Sequence, residues 1–161
     1  MDDGDAWKRD ESEAWLEHVR NLWTLKREAR DALDAVYHMA APRGIDYTRP
    51  NVESTGDTDT IVGMIEAMEE LSSKWRDRIA ELEHEWAEAN AIVDKVEDPW
   101  CRQLIRYYYV TGGEARRTWE QVAKMMGYEE PSIYPIRRKA LLMIHRHLPS
   151  EWRTDVPDAQ I

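Results

Sequence analysis

The stretch TWEQVAKMMGYEEPSIYPIRRKALLMIHRHL, residues 118–148, carries the spacing of a helix-turn-helix. Thr118 and Gln121 stand three residues apart, which is the spacing of a capping box at a helix start. Ala123 is small enough to let a partner helix approach, and Gly127 follows where the chain needs a left-handed turn residue. The side chains expected to pack the two helices together are Val122, Met126, Tyr128, Ile133 and Ile136. Helix pairs of this kind most often place their second helix in the major groove of DNA.

Charge separates this region from the rest of the chain. Residues 99–148 contain nine Lys or Arg and four Glu, a net charge of +5, whereas residues 1–98 carry −13 and the whole chain −10. Fields around a protein are screened over about 10 Å at physiological salt, so a polyanion responds to the local charge. The charge pattern therefore favours double-stranded DNA as a partner of the last third, despite the acidic total.

Composition bounds the location of the protein. The chain has 161 residues and one cysteine, Cys101, which rules out an internal disulfide and suits a reducing compartment. The first ten residues are acidic and lack the apolar core of a secretion signal, and no run approaches the roughly 18 apolar residues of a membrane span. We expect a soluble cytoplasmic protein with no membrane contact.

The remaining sequence predicts an all-α fold, in which a long antiparallel, coiled-coil-like helical hairpin precedes the helix-turn-helix domain. Apolar residues recur at helical spacing in 12–40 and 59–98, and Pro42 and Gly44 lie in the connecting loop 41–57. The apolar seam of the second helix consists of Ile61, Ile65, Met68, Ser72, Trp75, Ile79, Leu82, Trp86, Ala89, Val93 and Val96. A helix of this length needs a long partner, which the first helix supplies in part and a second copy of the chain can complete.

The predicted domains follow from these patterns. Residues 1–98 form the hairpin arm, residues 99–148 form the helix-turn-helix domain, and residues 149–161 form a frayed tail. Within the second domain a further helix starts at Pro99 and ends at Thr111-Gly112-Gly113. Its expected buried face consists of Trp100, Leu104, Ile105, Tyr108 and Tyr109.

The order of GIDYTRPNVES, a long acidic helix, DPWCRQLIRYYYVTGG, TWEQVAKMMGY and SIYPIRRKAL resembles small phage and prophage regulators of the ArpU and RinA type. The resemblance covers nearly the whole chain and is carried mainly by residues 98–142. It implies a C-terminal part similar to region four of bacterial sigma factors. It also implies late-gene transcription activation, with host RNA polymerase as a second candidate partner.

Carried over to this chain, the resemblance adds Trp119 to the residues that pack the two helices together. The implied DNA-facing residues are Ser132, Tyr134, Arg137 and Arg138, with Lys139 and Arg116 or Arg117 as phosphate contacts. Arginine offers a fork of donors to guanine edges or phosphates, and tyrosine can reach a phosphate oxygen or stack. A solvated helical face is the alternative interpretation of Arg137-Arg138-Lys139.

Two features depart from the family pattern. Pro135 lies within the expected DNA-reading helix. If Ser132 caps that helix, Pro135 falls in its first turn and costs little stability. If the helix instead starts near Pro131, Pro135 removes one of its backbone hydrogen bonds. Glu129 and Glu130 suit a helix start but repel phosphate. Two-site binding through a dimer, or help from polymerase, would compensate for weak binding by one copy.

Catalytic constellations find no support in the sequence. Glu81 and His84 make a single Glu-x-x-His step, which a di-iron bundle needs twice. His145 and His147 point to different sides of a helix, and Cys101 suits a small core position. We therefore expect no enzyme activity, no bound metal and no cofactor.

Two other functions remain open. A helix-turn-helix joined to helical oligomerisation also occurs in phage DNA-packaging or structural adaptors that resemble small terminase subunits, and ring-shaped oligomers would identify such a role. A protein-binding module that uses the motif only for packing would show no salt-dependent affinity for any duplex.

Overall fold

The computed structural model describes residues 3–40 and 57–154, which are helical with short connections and contain no strand. The helices are α1 (Ala6–Ala40), α2 (Asp57–Val93), α3 (Pro99–Ile105), α4 (Gly112–Ala115), α5 (Trp119–Met125) and α6 (Glu130–His145). A π-helical turn, Arg106–Val110, continues α3, and 3-10 turns span Asp3–Asp5 and Ser150–Trp152. The predicted all-α fold with a long N-terminal helix pair is confirmed. The predicted loop, apart from residue 57, lies outside the described residues.

The long helices differ from the prediction at two ends. α1 begins at Ala6, whereas the sequence predicted a start at residue 12. α2 ends at Val93, before the predicted end at 98, because Asp98 caps the next helix. The Asp98 carboxylate accepts hydrogen bonds from the backbone N–H of Trp100 at 2.9 Å and of Cys101 at 3.5 Å. An N-cap requires extended backbone, so the preceding helix must stop first.

The larger compact unit comprises Met1–Thr24 and His84–Ile161. It therefore includes the start of α1 and the end of α2, and extends beyond the predicted 99–148 domain. Apart from the side chains of α1 and α2, most of the core of this unit comes from helices α3, α5 and α6. The side chains that are fully buried in this core are Leu16, Val19, Val93, Val96, Cys101, Leu104, Ile105, Tyr109, Val110, Val122, Ala123, Ile133, Ala140 and Ile144.

Hydrogen bonds tie α1 to the C-terminal elements within this unit. The buried Ser12 hydroxyl donates to the carbonyl of Leu141 at 2.7 Å, and the Trp23 indole donates to the carbonyl of Val110 at 3.0 Å. Each such bond contributes about 1 kcal/mol, and leaving a buried polar group without its partner costs about 1–3 kcal/mol. These contacts explain why the start of α1 packs with residues far along the chain.

The first residues of the predicted tail pack against the same unit. The Trp152 ring lies 5.3 Å from the His18 ring, and Thr154 donates two hydrogen bonds to Glu11, at 3.1 Å from its backbone and 2.8 Å from its hydroxyl. The residues up to 154 are therefore held by α1, in contrast to the predicted fraying. Residues 155–161 lie outside the described part of the chain.

The smaller unit, Leu25–Glu83, consists of the second part of α1 and most of α2. Glu83 pairs with Lys26 at 3.4 Å and with Arg30 at 3.3 Å. Farther along α1, Val36 borders a groove together with Ile65 and other residues earlier in α2. The two segments are therefore antiparallel. Their buried side chains are Ala29, Val36, Ser72 and Leu82.

The π-helical turn changes the packing of the tyrosine run. The N–H of Thr111 donates to the carbonyl of Arg106, five residues back, at 2.8 Å. This wider turn buries Tyr109 completely and leaves Tyr107 and Tyr108 partly exposed. The chain then forms the short helix α4, where the sequence predicted only a helix end.

Within the described residues no helix is both long and apolar enough to cross a membrane.

Candidate nucleic-acid interface

The N-terminus of α5 has the predicted capping box. The Gln121 N–H donates to the Thr118 hydroxyl at 3.2 Å, and the Thr118 N–H donates to the Gln121 side-chain oxygen at 2.9 Å. Two N–H groups that a helix start leaves without partners are thereby satisfied. The start of α5 is fixed by local sequence.

The turn after α5 depends on Gly127, whose φ is +81°. The N–H of Tyr128 donates to the carbonyl of Ala123 at 2.8 Å, which closes the end of the helix. A side chain at position 127 would be strained by this left-handed backbone, although a Cβ there would meet no atom within 4 Å. The glycine is therefore needed for its backbone conformation.

Most of the predicted inner face packs between α5 and α6. Val122, Ala123, Met126 and Ile133 are buried, and Ile136 is half-buried. Tyr128 is 37% exposed, and its ring lies 5.9 Å from the exposed ring of Trp100. The prediction that Tyr128 belongs to the inner face is therefore wrong, because the chain has left helical periodicity at Gly127. The prediction that Trp100 belongs to a buried face is wrong as well.

α6 begins at Glu130, with Glu129 at the N-cap position and Pro131 in the first turn. The sequence allowed two starts for this helix, one with Ser132 as the cap and one near Pro131. The structure has the earlier start, so Ser132 lies inside the helix. Pro135 has no N–H to donate to the carbonyl four residues back, which is that of Pro131. The lost hydrogen bond lies at an exposed part of the helix, where Pro131, Ser132 and Pro135 all face solvent.

The expected DNA-facing residues of α6 separate into two groups. Ser132, Arg138 and Lys139 are exposed, whereas Tyr134 and Arg137 are half-buried. Arg138 has no hydrogen bond or ion pair with any residue that the structure describes. Lys139 is paired with Asp98, its Nζ lying 2.7 Å from Oδ2, and this hydrogen bond raises the pKa of Lys139 and lowers that of Asp98.

Tyr134 and Arg137 have partners within the protein. The Tyr134 hydroxyl donates to the Glu130 carboxylate at 2.8 Å, and this hydrogen bond raises the pKa of the tyrosine. The Arg137 guanidinium pairs with Glu13 of α1 and lies 5.0 Å from the centre of the Trp119 ring. Burial lowers the pKa of Arg137, but Tyr109 and Glu13 raise it by more. Arg137 is therefore a charged residue that joins α6 to α1.

Arg116 and Arg117 lie immediately before α5 and next to α1. Arg116 has a φ of +53°, which is unusual for a residue with a side chain, and donates to the Thr24 hydroxyl at 3.2 Å. Arg117 donates to the carbonyl of Tyr107 at 3.1 Å and to the Thr111 hydroxyl at 2.9 Å. Both side chains are thus positioned by neutral oxygens.

Arg20 of α1 completes this group, which we call the arginine cluster: Arg20, Arg116 and Arg117. Arg20 donates to the Tyr108 hydroxyl at 3.0 Å and to the carbonyl of Arg117 at 2.7 Å. None of the three guanidinium groups is ion-paired with a carboxylate of the described residues. The role of Arg20 could not be predicted from the sequence, because its partner Tyr108 lies 88 residues away in the chain.

Two stacked aromatic rings separate the arginine cluster from Arg137. The rings of Tyr108 and Trp119 lie 3.8 Å apart and nearly parallel, and the Arg20 guanidinium lies 4.0 Å from the centre of the Tyr108 ring. Arg137 covers the Trp119 ring on its side. Cation–π contacts contribute about 0.5–2 kcal/mol each, more where water is excluded. This stack fixes the position of α5 relative to α1 and α6.

A cleft of about 430 Å³ opens beside the arginine cluster. Its lining includes all three arginines together with Thr118 and Trp119 of the α5 start and Glu130 of α6. The structure therefore brings Arg116 and Arg117 next to the first turn of α6. Glu120 and Glu130 contribute negative charge to the same rim.

Residues considered for metal or catalytic chemistry have other partners. Glu81 pairs with Arg78 at 3.3 Å and His84 pairs with Glu88 at 3.0 Å. Cys101 is buried, and burial raises the pKa of its thiol to about 11. Among residues 3–40 and 57–154, no group of three His, Cys, Asp or Glu side chains is arranged to hold a metal ion.

Comparisons with known proteins return no match among protein-family models, curated proteins or solved structures.

Proposed function

We propose that this protein is a DNA-binding transcription regulator, a phage-derived late-gene activator whose helix-turn-helix is formed by α5 and α6. The observation that carries the proposal is the arginine cluster beside the first turn of α6. The three guanidinium groups have no carboxylate partner among residues 3–40 and 57–154, so that in a chain of net charge −10 they leave local positive charge that a phosphate backbone can neutralise.

The local geometry supports the same interpretation. The capping box of Thr118 and the left-handed Gly127 are the features that a helix-turn-helix needs to enter and leave its first helix. In the proposed complex, Ser132 and Arg138 on the exposed side of α6 contact base edges, and Arg116 contacts a phosphate.

The ion pair of Arg137 assigns that residue a positioning role in the proposed complex. Arg137 holds α6 against Glu13 and Trp119, which orients the exposed side of the helix. Lys139 reaches a phosphate only after it leaves Asp98. The resemblance to late-gene activators adds host RNA polymerase as a proposed second partner.

The test measures which fragments of the source genome the purified protein retains, followed by affinity for a retained duplex across a salt series. We expect Arg116→Ala and Arg138→Ala to lower affinity, and Arg116→Ala to reduce the slope of log K against log salt by about 1. Arg138→Ala should also relax sequence preference, since a base contact of this kind contributes about 1–3 kcal/mol.

Lys95→Ala is the control, because it removes one exposed positive charge that lies outside the arginine cluster and the residues that the cluster contacts. If all three variants bind equally, or if the wild-type protein binds no duplex with salt dependence, the proposed function is wrong.

A second candidate function is a DNA-packaging or structural adaptor. It is favoured by one observation: Arg137 and Lys139, two of the expected DNA contacts, are neutralised by carboxylates of the same chain. A closed ring of many copies, measured as mass in solution, would favour the adaptor over the regulator.

A further inference from the structure

The smaller unit exposes an unusual number of large apolar side chains. Between residues 61 and 71 of α2, five of them are more than 40% exposed, and two from the end of α1 add to them. These residues are Ile61, Val62, Met64, Ile65, Leu71, Tyr37 and Met39. Single exposed apolar residues are ordinary, whereas a contiguous group marks an interaction surface. Covering it stabilises a complex by about 25 cal/mol for each Å² removed from water.

The same stretch continues the seam that is covered farther along α2. Ser72 and Leu82 are buried within the unit, and Ile61 and Ile65 follow the same alternation of three and four residues, yet both are about half exposed. A groove of about 500 Å³ lies next to them, bordered by Val36, Tyr37 and Ile65. The seam therefore retains apolar surface that α1 leaves uncovered.

The charges along α2 indicate which partner covers this apolar surface. Every charged residue from 57 to 70 is acidic, and these include Glu66, Glu69 and Glu70. The next charged residues are mostly basic: Lys74, Arg76 and Arg78, with Asp77 between them. The described members of both groups are exposed. Acidic and basic segments thus stand on either side of Leu71 to Ser73.

The order of charges along α2 is complementary to that of a second α2 helix running in the opposite direction. A second copy of α2 that runs in the opposite direction brings its basic segment beside the acidic segment of the first, and the reverse holds by symmetry. A parallel copy in register would instead align acid with acid and base with base, which is unfavourable.

We propose that two copies of the chain associate through residues 61–78 of α2, antiparallel, with the two-fold axis near Ser72. Leu71 lies at the centre of the interface, the exposed apolar side chains of residues 61–65 lie toward its two ends, and the acidic and basic segments set its direction. The pairing joins two helical hairpins into a four-helix arrangement. This inference does not rest on the proposed function, since its evidence comes only from residues 25–83.

The first experiment measures the mass of the 161-residue chain in solution over a range of concentrations. We expect twice the 19.0 kDa of one chain for the wild type. Leu71→Glu should return the mass to one chain, because it buries a charge at the centre of the interface. Ala91→Glu adds the same charge at an exposed position outside the stretch and should leave the dimer intact.

The second experiment tests the charges. Glu66→Lys combined with Glu69→Lys and Glu70→Lys makes the stretch basic, and Lys74→Glu combined with Arg76→Glu and Arg78→Glu makes it acidic. Each triple variant alone should be monomeric, and an equimolar mixture should restore the doubled mass. Unchanged helicity by circular dichroism shows that each variant is folded.

The third experiment tests direction by oxidative cross-linking. Leu71→Cys lies close to the axis and should form a disulfide dimer. Two Met64→Cys chains should not, since residue 64 would lie about 24 Å from its symmetry mate at 1.5 Å per residue. The native Cys101 is buried and provides no competing thiol.

Three outcomes would overturn the proposal: a wild-type mass of one chain at all concentrations, a larger closed ring, or efficient cross-linking through Met64→Cys. The first would assign the apolar surface to another occupant, and the last would show parallel pairing. A larger closed ring would also favour the DNA-packaging adaptor over the regulator, whereas the other two outcomes leave the proposed function open.

Discussion

Arg137 of α6 is ion-paired with Glu13 of α1, a residue 124 positions earlier in the chain. The guanidinium also covers the Trp119 ring, so one side chain joins α1, α5 and α6. The neighbouring Arg138 is exposed and has no partner among the described residues. Two consecutive arginines of the same helix therefore have different tasks, one in stability and one available for a ligand.

Arg137→Ala should lower the free energy of unfolding by about 1–3 kcal/mol, because Glu13 loses its partner and Trp119 loses its cover. Arg138→Ala should change it by less than about 0.5 kcal/mol. Urea denaturation of the two variants measures the difference. Equal stabilities would mean that the Arg137 contacts contribute nothing net.

Gly127 and Gly63 should respond in opposite directions to alanine. Gly127 has a φ of +81°, so Gly127→Ala should destabilise by about 1–2 kcal/mol through backbone strain alone. Gly63 lies inside α2 with no atom within 4 Å of an added Cβ, so Gly63→Ala should stabilise its helix by about 0.5–1 kcal/mol. Thermal melting followed by circular dichroism measures both. A loss for Gly63→Ala would indicate a contact made outside this chain.

Glu11 should contribute to acid sensitivity. The hydrogen bond from His145 lowers the pKa of Glu11, burial opposes this, and Thr154 lowers it further. Because the folded pKa lies below the unfolded value, the stabilisation is present above the unfolded pKa and is lost as pH falls through the folded one. Unfolding free energies of wild type and Glu11→Gln should therefore converge as pH falls below about 4.5. A constant gap between them would refute this assignment.

The Cys101 thiol should be nearly inert in the folded protein. Burial raises its pKa to about 11, and the thiol is 1% exposed as a residue. At pH 8 its thiolate fraction is about a hundredfold below that of an ordinary cysteine. Reaction with a chromogenic disulfide reagent should be slowed by at least that factor and become fast in denaturant. Ala91→Cys supplies an exposed thiol outside the proposed interface as the control, and equal rates for the two thiols would contradict the burial.

Features set by neighbouring residues could be predicted from the sequence. The capping box of Thr118 and Gln121 and the left-handed Gly127 depend on a few adjacent residues, and both are confirmed. The all-helical fold follows from apolar periodicity, which requires no knowledge of partners. The prediction for Tyr128 was wrong because helical periodicity ends at Gly127, the residue before it.

Features set by distant residues could not be predicted. Arg20 reaches Tyr108 and the carbonyl of Arg117, which lie 88 and 97 residues later in the chain, and nothing in its neighbouring sequence indicates these contacts. These contacts require knowing which surfaces meet, and a single sequence does not supply that information.

The wide turn at Arg106–Val110 holds one residue more than an ordinary helix would at the same place. Loss of a single residue here can be absorbed by tightening to regular α-helical geometry, which preserves the angular phase of the flanking segments. The same deletion within α3 would rotate everything after it by about 100° about the helix axis. This segment is therefore where the chain best tolerates a change in length without turning the arginine cluster away from α6.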